Sequence, residues 1–177
     1  MVTTARNRTG EEARERARAA AAAVTDPELP MLTLADLGIL RRVEVGADGT
    51  VAVWITPTYS GCPALAEMRA DVDRAVRAAG FDRVEVRTEL SPPWTTDWIT
   101  DEGRRKLAEH GISPPGSAPP RASGPVPLTL LPTRTVPHCP LCGSDRTEEL
   151  SRFGATSCKS LHRCRSCLEP FEHVKEI

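Results

Sequence analysis

The sequence predicts an α+β domain followed by a small cysteine-rich β unit. Three observations lead to this prediction. Apolar residues alternate in short segments, a longer segment carries them at helical spacing, and four of the six cysteines form two Cys-x-x-Cys pairs near the C-terminal end. With 40% hydrophobic and 27% charged residues among 177, the composition is that of a globular protein of one or two domains.

The first expected elements are a helix and a β-hairpin. Residues 1–23 are rich in Ala, Arg and Glu, which favour helix but supply little apolar bulk, so we expect a solvated N-terminal helix or tail. Residues 38–45 and 51–56 are rich in β-forming side chains, and apolar residues alternate in the second segment. The Asp48-Gly49 pair between them is typical of a hairpin turn and predicts two adjacent antiparallel strands.

An amphipathic helix, a strand and a second, shorter helix follow the hairpin. Residues 63–79 place apolar side chains at helical spacing, and Gly80 ends this segment. Residues 84–90 alternate again and predict a third strand. Thr100 and Gly111 suit the N-cap and C-cap of the short helix. The resulting order, α-β-β-α-β-α, describes a small sheet with helices on one face.

A proline-rich segment separates this domain from the cysteine pairs. Eight of the sixteen prolines fall in residues 113–137, where Gly and Ser are also frequent. This composition favours an extended, semi-rigid linker. It divides the chain into an α+β domain of residues 24–112 and a C-terminal unit of residues 138–177. The alternative is a long packed loop within a single domain.

Charge and hydropathy argue against nucleic-acid and membrane partners. The chain has 23 Lys+Arg against 24 Asp+Glu, and neither unit carries the basic excess that displaces counterions from nucleic acid. The longest apolar run, Ala19–Val24, is far shorter than the roughly 20 residues that cross a bilayer, and no secretory signal opens the sequence. We therefore expect a cytoplasmic protein.

The two Cys-x-x-Cys pairs predict a metal site. Cys139 and Cys142 form the first pair and Cys164 and Cys167 the second, with 21 residues between the pairs. Two such turns supply the four thiolates of a closed tetrahedral zinc site, in which no position is left for catalytic water. A 40-residue ribbon buries too little apolar surface to fold alone, so the metal is expected to be structural. Rubredoxin-like iron, disulfides and a redox dithiol are the alternatives.

The other two cysteines stand apart from these pairs. Cys158 is spaced poorly for a metal-binding turn and is interpreted as a spare thiol. Cys62 precedes Pro63, which suits the first position of a helix, so Cys62 is the predicted N-cap, where the helix dipole favours a thiolate. The alternative for Cys62 is a small residue buried in a turn. Further candidates around this turn are Asp26, Glu28 and Thr58.

Short motifs in the predicted α+β domain resemble the iron–sulfur assembly domain of SufT-type and MIP-type proteins. They are Asp26-Pro27-Glu28, Asp36-Leu37-Gly38-Ile39, Thr56-Pro57-Thr58 and Gly61-Cys62-Pro63. Later motifs narrow the resemblance to the D component of the phenylacetyl-CoA epoxidase, or phenylacetate-CoA oxygenase, system. These include Pro92-Pro93-Trp94, the Cys139–Ser144 turn and the segment from Ser151 to Phe171.

The resemblance to this D component implies an accessory protein, without catalysis of its own, of a phenylacetyl-CoA 1,2-epoxidase system in aerobic phenylacetate degradation. The implied partners are the oxygenase and reductase subunits, and a homodimer is also considered. In this interpretation Cys62 is a transient ligand for iron or an iron–sulfur cluster, and the chain helps to mature its partners. The alternative is a structural or regulatory subunit that stays in the oxygenase complex.

Overall fold

The computed structural model describes residues 3–59, 61–118 and 136–177, and these form two compact units. The first unit runs to Trp94 and includes Trp98–Gly103, and the second comprises Thr95–Asp97 and Arg104–Ile177. Helices and strands occur in both, so the predicted α+β class is confirmed. None of the described helices has the length and apolar character needed to cross a membrane.

The first unit contains a three-stranded sheet and two helices. The helices are α1 (Thr3–Ala22) and α2 (Leu65–Ala78), and the strands are β1 (Leu40–Val45), β2 (Val51–Ile55) and β3 (Val84–Thr88). β1 and β2 form the predicted antiparallel hairpin, while β3 lies parallel to β2 in the order β1-β2-β3. A parallel pair needs a crossover connection, and α2 supplies it.

The core of the first unit lies between one face of the sheet and the helices. Val51, Val53 and Ile55 are completely buried, because alternate residues of β2 point toward the helices. α2 contributes three fully buried side chains at the helical spacing that the sequence shows, and they are Met68, Val72 and Val76. The loop between α1 and β1 adds two more, Leu32 and Leu34.

The N-terminal helix is only in part the solvated element that the sequence suggests. Ala17 and Ala21, on its C-terminal half, are fully buried, and α1 packs against β1 and α2. Alanine has too little apolar bulk to mark a buried helix face in the sequence, but its small side chain allows close approach to a sheet. The α+β unit therefore begins before residue 24.

The second unit contains a four-stranded sheet. Its strands are β4 (Ile112–Ser113), β5 (Thr147–Ser151), β6 (Lys159–Cys164) and β7 (Pro170–Val174), in the order β4-β7-β6-β5. β5, β6 and β7 form an antiparallel ribbon, preceded in the chain by the short helix α3 (Asp101–Glu109). Thr100 caps α3 as predicted, since its hydroxyl accepts the Gly103 N–H at 3.0 Å.

β4 shows that the second sheet extends into the predicted linker. Ile112 and Ser113 pair in parallel with Glu172 and His173 of β7, and Ser113 is buried. The Ser113 carbonyl also accepts a hydrogen bond from His173 Nδ1 at 3.2 Å. A two-residue strand is too short to show alternation, so no sequence pattern indicates it. The central part of the predicted linker, residues 119–135, lies outside the described residues.

A buried ion pair supports the β5–β6 loop of the ribbon. Lys159 Nζ lies 2.6 Å from a carboxylate oxygen of Glu172, and the Lys159 side chain is only 6% exposed. The other Glu172 oxygen accepts the Ala155 N–H at 2.9 Å. A Cβ at Gly154 would lie 2.7 Å from that oxygen, so the loop is shaped around the carboxylate.

We expect Gly38→Ala to destabilise the first unit strongly. Gly38 has φ +67°, and a Cβ there would lie 2.5 Å from the Trp98 carbonyl oxygen. The left-handed conformation costs about 1–2 kcal/mol for a non-glycine residue, and overpacking costs about 1–3 kcal/mol more. All three tryptophans belong to this unit, so urea unfolding followed by tryptophan fluorescence measures the loss.

Gly80→Ala is the matched control for that measurement. Gly80 also has a positive φ, +93°, but a Cβ there would meet nothing within 4 Å. We expect a loss of only about 1–2 kcal/mol, from backbone conformation alone. Equal losses in the two variants would show that contact with Trp98 does not constrain Gly38.

A second prediction concerns the pH dependence of the ribbon. Burial opposes ionisation of Glu172, but the bonds from Lys159 and from the Ala155 N–H outweigh it, and the net effect lowers the pKa of this carboxyl. Glutamate in an unfolded chain has a pKa of about 4.3. The stabilisation is therefore fully present above that pH and is lost as the pH falls through the lower pKa of the folded state.

Glu172→Gln should reduce the stability of the ribbon by about 3 kcal/mol at pH 7, because it leaves the buried Lys159 without a countercharge. The difference from the wild type should shrink as the pH falls below about 4.3. Hydrogen exchange of the β6 and β7 amides measures this local stability. While the metal is still bound, a difference that stays constant as the pH falls below about 4.3 would contradict the assigned role of the carboxylate.

Candidate functional site

The first Cys-x-x-Cys pair lies in a tight turn that precedes β5. The Gly143 N–H donates to the Cys139 carbonyl at 2.8 Å, and the Cys139 N–H donates to the Ser144 carbonyl at 2.9 Å. Gly143 has φ +73°, which favours glycine, and it follows Cys142 directly. The turn therefore points both thiols to the same side.

The second pair lies in the turn from β6 to β7 and repeats this arrangement. The Cys164 N–H donates to the Glu169 carbonyl at 3.0 Å. Leu168 occupies the position that Gly143 has in the first turn and also has a positive φ, +68°. This conformation is unusual for a leucine, and the Leu168 side chain is 61% exposed, so packing does not compensate for it.

Backbone amides stabilise negative charge on Cys164. The N–H groups of Cys167 and Ser166 point at its sulfur at 3.5 and 3.3 Å. The hydrogen bond from Cys167 is the largest cause, and together these contacts lower the pKa of Cys164 to about 6. Cys164 is therefore predisposed to the thiolate form that a metal requires.

The two turns bring four sulfur atoms together. The Sγ atoms of Cys139, Cys142, Cys164 and Cys167 all lie within 4.8 Å of one another, with Cys139 to Cys167 at 3.7 Å and Cys142 to Cys164 at 3.5 Å. A tetrahedron with metal–sulfur bonds of about 2.3 Å has sulfur–sulfur edges of about 3.8 Å. The measured separations fit one tetrahedral metal ion.

The surroundings of this cluster differ from one side to the other. Cys139 and Cys164 are buried against Phe171, whereas Cys142 is exposed and Cys167 is half-buried. With four protein sulfurs the shell is closed, which is typical of a metal that stabilises a fold and has no position for a substrate. The cluster thus forms a metal-binding site with a structural geometry.

Cys62 lies in the first unit, in the connection from β2 to α2. It is half-buried, its N–H donates to the Tyr59 carbonyl at 3.2 Å, and its carbonyl accepts the Leu65 N–H at 3.3 Å. The predicted N-cap position is wrong, because α2 begins at Leu65 with Ala64 as its N-cap. The hydrogen bond between the Cys62 carbonyl and the Leu65 N–H closes a non-helical turn before the helix. The preference of proline for the first helical position does not predict such a turn.

The supporting candidates have different positions in the first unit. Asp26 is buried, and one carboxylate oxygen accepts the N–H groups of Glu28 and Leu29 at 2.9 and 2.8 Å, so it holds the turn after α1. Glu28 is half-buried in that same turn. Thr58 is half-buried in the β2–α2 connection, four residues before Cys62.

Comparison with protein families identifies both parts of the chain. Residues 14–87 match the iron–sulfur cluster assembly protein family, and residues 123–175 match the PaaD zinc beta ribbon domain. The D component of the 1,2-phenylacetyl-CoA epoxidase of Escherichia coli is 44% identical over 154 residues, which cover 87% of each chain. The chain belongs to the phenylacetyl-CoA epoxidase D-component family.

Two further proteins are similar to the first unit. An Fe-S protein maturation auxiliary factor of Porphyromonas gingivalis is 36% identical over 85 residues, which cover 48% of this chain and 80% of the relative. A domain of unknown function, DUF59, from Bacillus anthracis shares the fold, with a TM-score of 0.53 and 23% identity over 57% of this chain and 96% of its own. The resemblance predicted from the sequence is confirmed.

One buried polar residue of the first unit is absent from the candidates predicted from the sequence. Thr56, directly after β2, is 1% exposed, and its hydroxyl has no hydrogen-bond partner among the described residues. Burial of a hydroxyl without a hydrogen-bond partner costs free energy. Thr56 lies at the start of the β2–α2 connection that contains Cys62. The Thr56-Pro57-Thr58 motif contains this residue and could have indicated it. Because apolar residues alternate up to Thr56, the pattern favours its interpretation as the last residue of a strand.

Cys158, His162 and His173 of the ribbon lie outside the metal-binding cluster. Cys158 Sγ lies 3.0 Å from the Thr156 hydroxyl, at the end of β6 opposite Cys164. His162 and His173 are buried, and their rings meet edge to face at 5.5 Å. Among the described residues, only the four paired cysteines form a group suited to a metal ion.

We expect the purified chain to contain one metal ion and Cys142→Ser to lose it. Cys142 is exposed, so serine there removes a ligand without creating a cavity in the core. Because metal binding contributes free energy of folding, amide protection in β5 to β7 should disappear together with the metal. Elemental analysis and hydrogen exchange measure the two effects.

Cys158→Ser is the matched control for this measurement, because it removes a thiol of the ribbon that lies outside the cluster. It should retain both the metal and the amide protection. A metal-free Cys142→Ser ribbon with wild-type protection would contradict the structural role of the metal.

Proposed function

We propose that this chain is an accessory maturation factor of a phenylacetyl-CoA epoxidase system. In this proposal Cys62 holds iron or an iron–sulfur cluster transiently, and the four-cysteine ribbon contains structural zinc. The observation that carries the proposal is the separation of two kinds of cysteine. Four thiols lie in a closed shell, while a half-buried thiol lies outside that shell in a turn of the assembly-type unit.

The surroundings of Cys62 suit a ligand that must bind and release. It precedes the N-cap of α2 by two residues, and the N-cap residue itself makes no side-chain capping hydrogen bond. The positive end of the helix dipole therefore faces the connection that contains Cys62 and favours a thiolate there. A half-buried thiol is accessible to a partner, whereas a thiolate in a four-sulfur shell is not available for exchange.

The proposed reaction is a ligand exchange. Binding of iron to the Cys62 sulfur releases the thiol proton, and transfer breaks that iron–sulfur bond as a ligand of the recipient protein forms a new bond. Glu28 and Thr58 are half-buried and are proposed to support this site. Asp26 is proposed to act indirectly, because its carboxylate holds the turn that carries Glu28.

Zinc is the proposed metal of the ribbon. The four-sulfur set accepts zinc or iron, but the matching family is a zinc ribbon and a closed tetrahedral site is the usual structural zinc site. Zinc has no redox chemistry, so a zinc ribbon would be stable beside a partner that exchanges electrons. The recipients proposed for the iron are the oxygenase and reductase components, because the Escherichia coli relative is named as part of an epoxidase.

A second candidate function is a structural subunit that stays bound to the oxygenase. The observation that favours it is Leu168, an exposed leucine in a strained conformation that glycine would adopt more easily. Leu141, 59% exposed in the first cysteine turn, is its counterpart. Exposed apolar side chains on both metal-binding turns suit a surface that docks to another protein.

Replacement of Cys62 by serine distinguishes the two functions. Under the maturation proposal, Cys62→Ser folds normally and keeps its zinc, but oxygenase co-expressed with it contains severalfold less iron and has correspondingly lower activity. The physical reason is that a serine hydroxyl does not form the thiolate that a soft metal requires. Iron content of the purified oxygenase and zinc content of the variant are measured on the same preparation.

Cys158→Ser again serves as the matched control, since Cys158 is also a half-buried thiol outside the cluster. It should leave the iron content of the oxygenase unchanged. Full iron loading with Cys62→Ser, together with stoichiometric co-purification of the chain with the oxygenase, would reject maturation and support the structural subunit.

A further inference from the structure

The sheet of the first unit has one face that the described helices do not cover. α1 contacts β1 and α2, and α2 contacts β3, over the face where Val43, Val53 and Ile55 are buried. Side chains of the opposite face alternate with these along each strand. On that opposite face the Arg42 side chain is 46% exposed and the Glu44 side chain 63% exposed.

Strand register arranges the outward side chains in two rows across the three strands. Arg42 pairs with Trp54, and Trp54 pairs with Arg87, which gives a cationic row with an aromatic centre. Two residues along the strands, Glu44 pairs with Ala52, and Ala52 pairs with Glu85. This second row is acidic and has a small residue at its centre.

The alternation continues along β3 and beyond its ends. Four charges of alternating sign lie at every second residue along one edge of this face, and they are Arg83, Glu85, Arg87 and Glu89. Contacts agree with this placement. Arg42 Nη1 reaches Glu89 across the face at 3.1 Å, and Arg83 lies 3.8 Å from Asp48 of the hairpin turn.

The charge pattern of this face is complementary to itself. A second copy can stack on it face to face, related by a two-fold axis that lies between the sheets, runs across the strands and is level with Val53. This rotation places the Arg42 row of each copy on the Glu44 row of the other. The opposite charges that meet, each pair occurring twice, are Arg42 with Glu44, Arg87 with Glu85, and Arg83 with Glu89.

We propose that this outward face, defined by Arg42, Glu44, Ala52, Trp54, Glu85 and Arg87, binds the same face of a second copy of the chain. A two-fold interface requires one surface to be complementary to itself, and opposite charges exchange under the rotation here. A random set of charges on three strands would place like charges opposite each other at some positions.

Shape supports the same pairing at the centre of the face. The rotation places the Trp54 indole of one copy over Ala52 of the other, so a large side chain meets a small one. A hollow of about 320 Å³ lies beside Ala52 and is lined by Thr50, Trp54 and Glu85, among others. Sheets stacked face to face are separated by about 10 Å, a distance that an indole and a methyl group fill together.

Contacts within one chain do not prevent this exchange. Arg42 lies 3.4 Å from Glu44, and Arg87 lies 2.5 Å from Glu85, but both pairs are exposed. Exposed ion pairs contribute little and rearrange easily. The Arg42 and Arg87 guanidinium groups also lie 4.1 and 5.2 Å from the centre of the Trp54 ring, which holds the indole between them and limits its freedom before binding.

The small size of the face sets the expected strength. Three short strands form a patch well below the roughly 800 Å² per partner of a standard interface, so the dimer is weak and depends on concentration. Because most of the pairing is ionic, it also depends on salt. The Debye length falls to about 3 Å in 1 M salt, and charge pairs at the rim of the face then contribute little.

Charge exchange between two variants tests the proposal. Copies with Arg42→Glu and Arg87→Glu carry only acidic charges in both rows, and copies with Glu44→Arg and Glu85→Arg carry only basic ones. In sedimentation velocity of the full chain at low salt, the wild type should form dimers as the concentration rises, and each double variant should be monomeric alone. An equimolar mixture of the two double variants should form a heterodimer more stable than the wild-type dimer.

Two controls separate this interface from general charge effects. Arg74→Glu reverses a charge that is 73% exposed on α2, on the helix side of the unit, and should leave dimerisation unchanged. Trp54→Ala keeps every charge but removes the central contact, and should weaken the dimer severalfold. Far-UV circular dichroism checks that all variants fold. A wild type that stays monomeric at millimolar concentration, or a mixture of the double variants that does not associate, overturns the proposal.

Discussion

Four sulfur atoms within 4.8 Å of one another are the constraint on which the ribbon depends. Four thiolates at such distances repel each other strongly, so all four thiols can ionise together only around a bound cation. The apolar core around the cluster is small and consists of Cys139, Cys164 and Phe171 with Cys167 beside it. A metal ion bound by these sulfurs would supply the stabilisation that a larger core provides in the first unit.

The polar interior at the other end of the ribbon depends on the same constraint. Lys159, His162 and His173 are buried there, a composition that contributes little hydrophobic stabilisation. The His162 ring stacks on Phe171, with ring centres 5.7 Å apart, and Phe171 packs against the cluster. Burial lowers the pKa of His162, so the neutral ring is favoured in this contact. A ribbon without its metal would lose the support for these side chains and expose charged groups that the folded state keeps paired.

The sequence predicts those parts of the fold that depend on interactions between residues close together in the chain. It does not predict the parts that depend on contacts between segments far apart in the chain. The hairpin turn at Asp48-Gly49 and the Thr100 cap involve residues close together in the chain, and the structure has both. Burial of Ala17 needs the sheet beneath it, and β4 exists because β7 offers an edge to Ser113. The hydrogen bond from the Leu65 N–H to the Cys62 carbonyl closes a turn before α2, so the helix begins only at Leu65. Helix propensities do not predict this shift. Each of these requires the relative position of segments that the sequence shows separately.

The proposed roles of the first unit use different sides of the same sheet. The β2–α2 connection leaves the end of β2 and leads to a helix that packs on the buried face, whereas Trp54 points from β2 to the opposite face. Two copies joined through their outward faces would therefore keep both helix-side surfaces, and with them two Cys62 turns, outside the interface. The two-fold axis reverses the strand direction, so the two Cys62 turns lie at opposite ends of the dimer and each can meet a recipient independently of the other. Self-association and metal transfer are in this sense compatible functions of one small sheet.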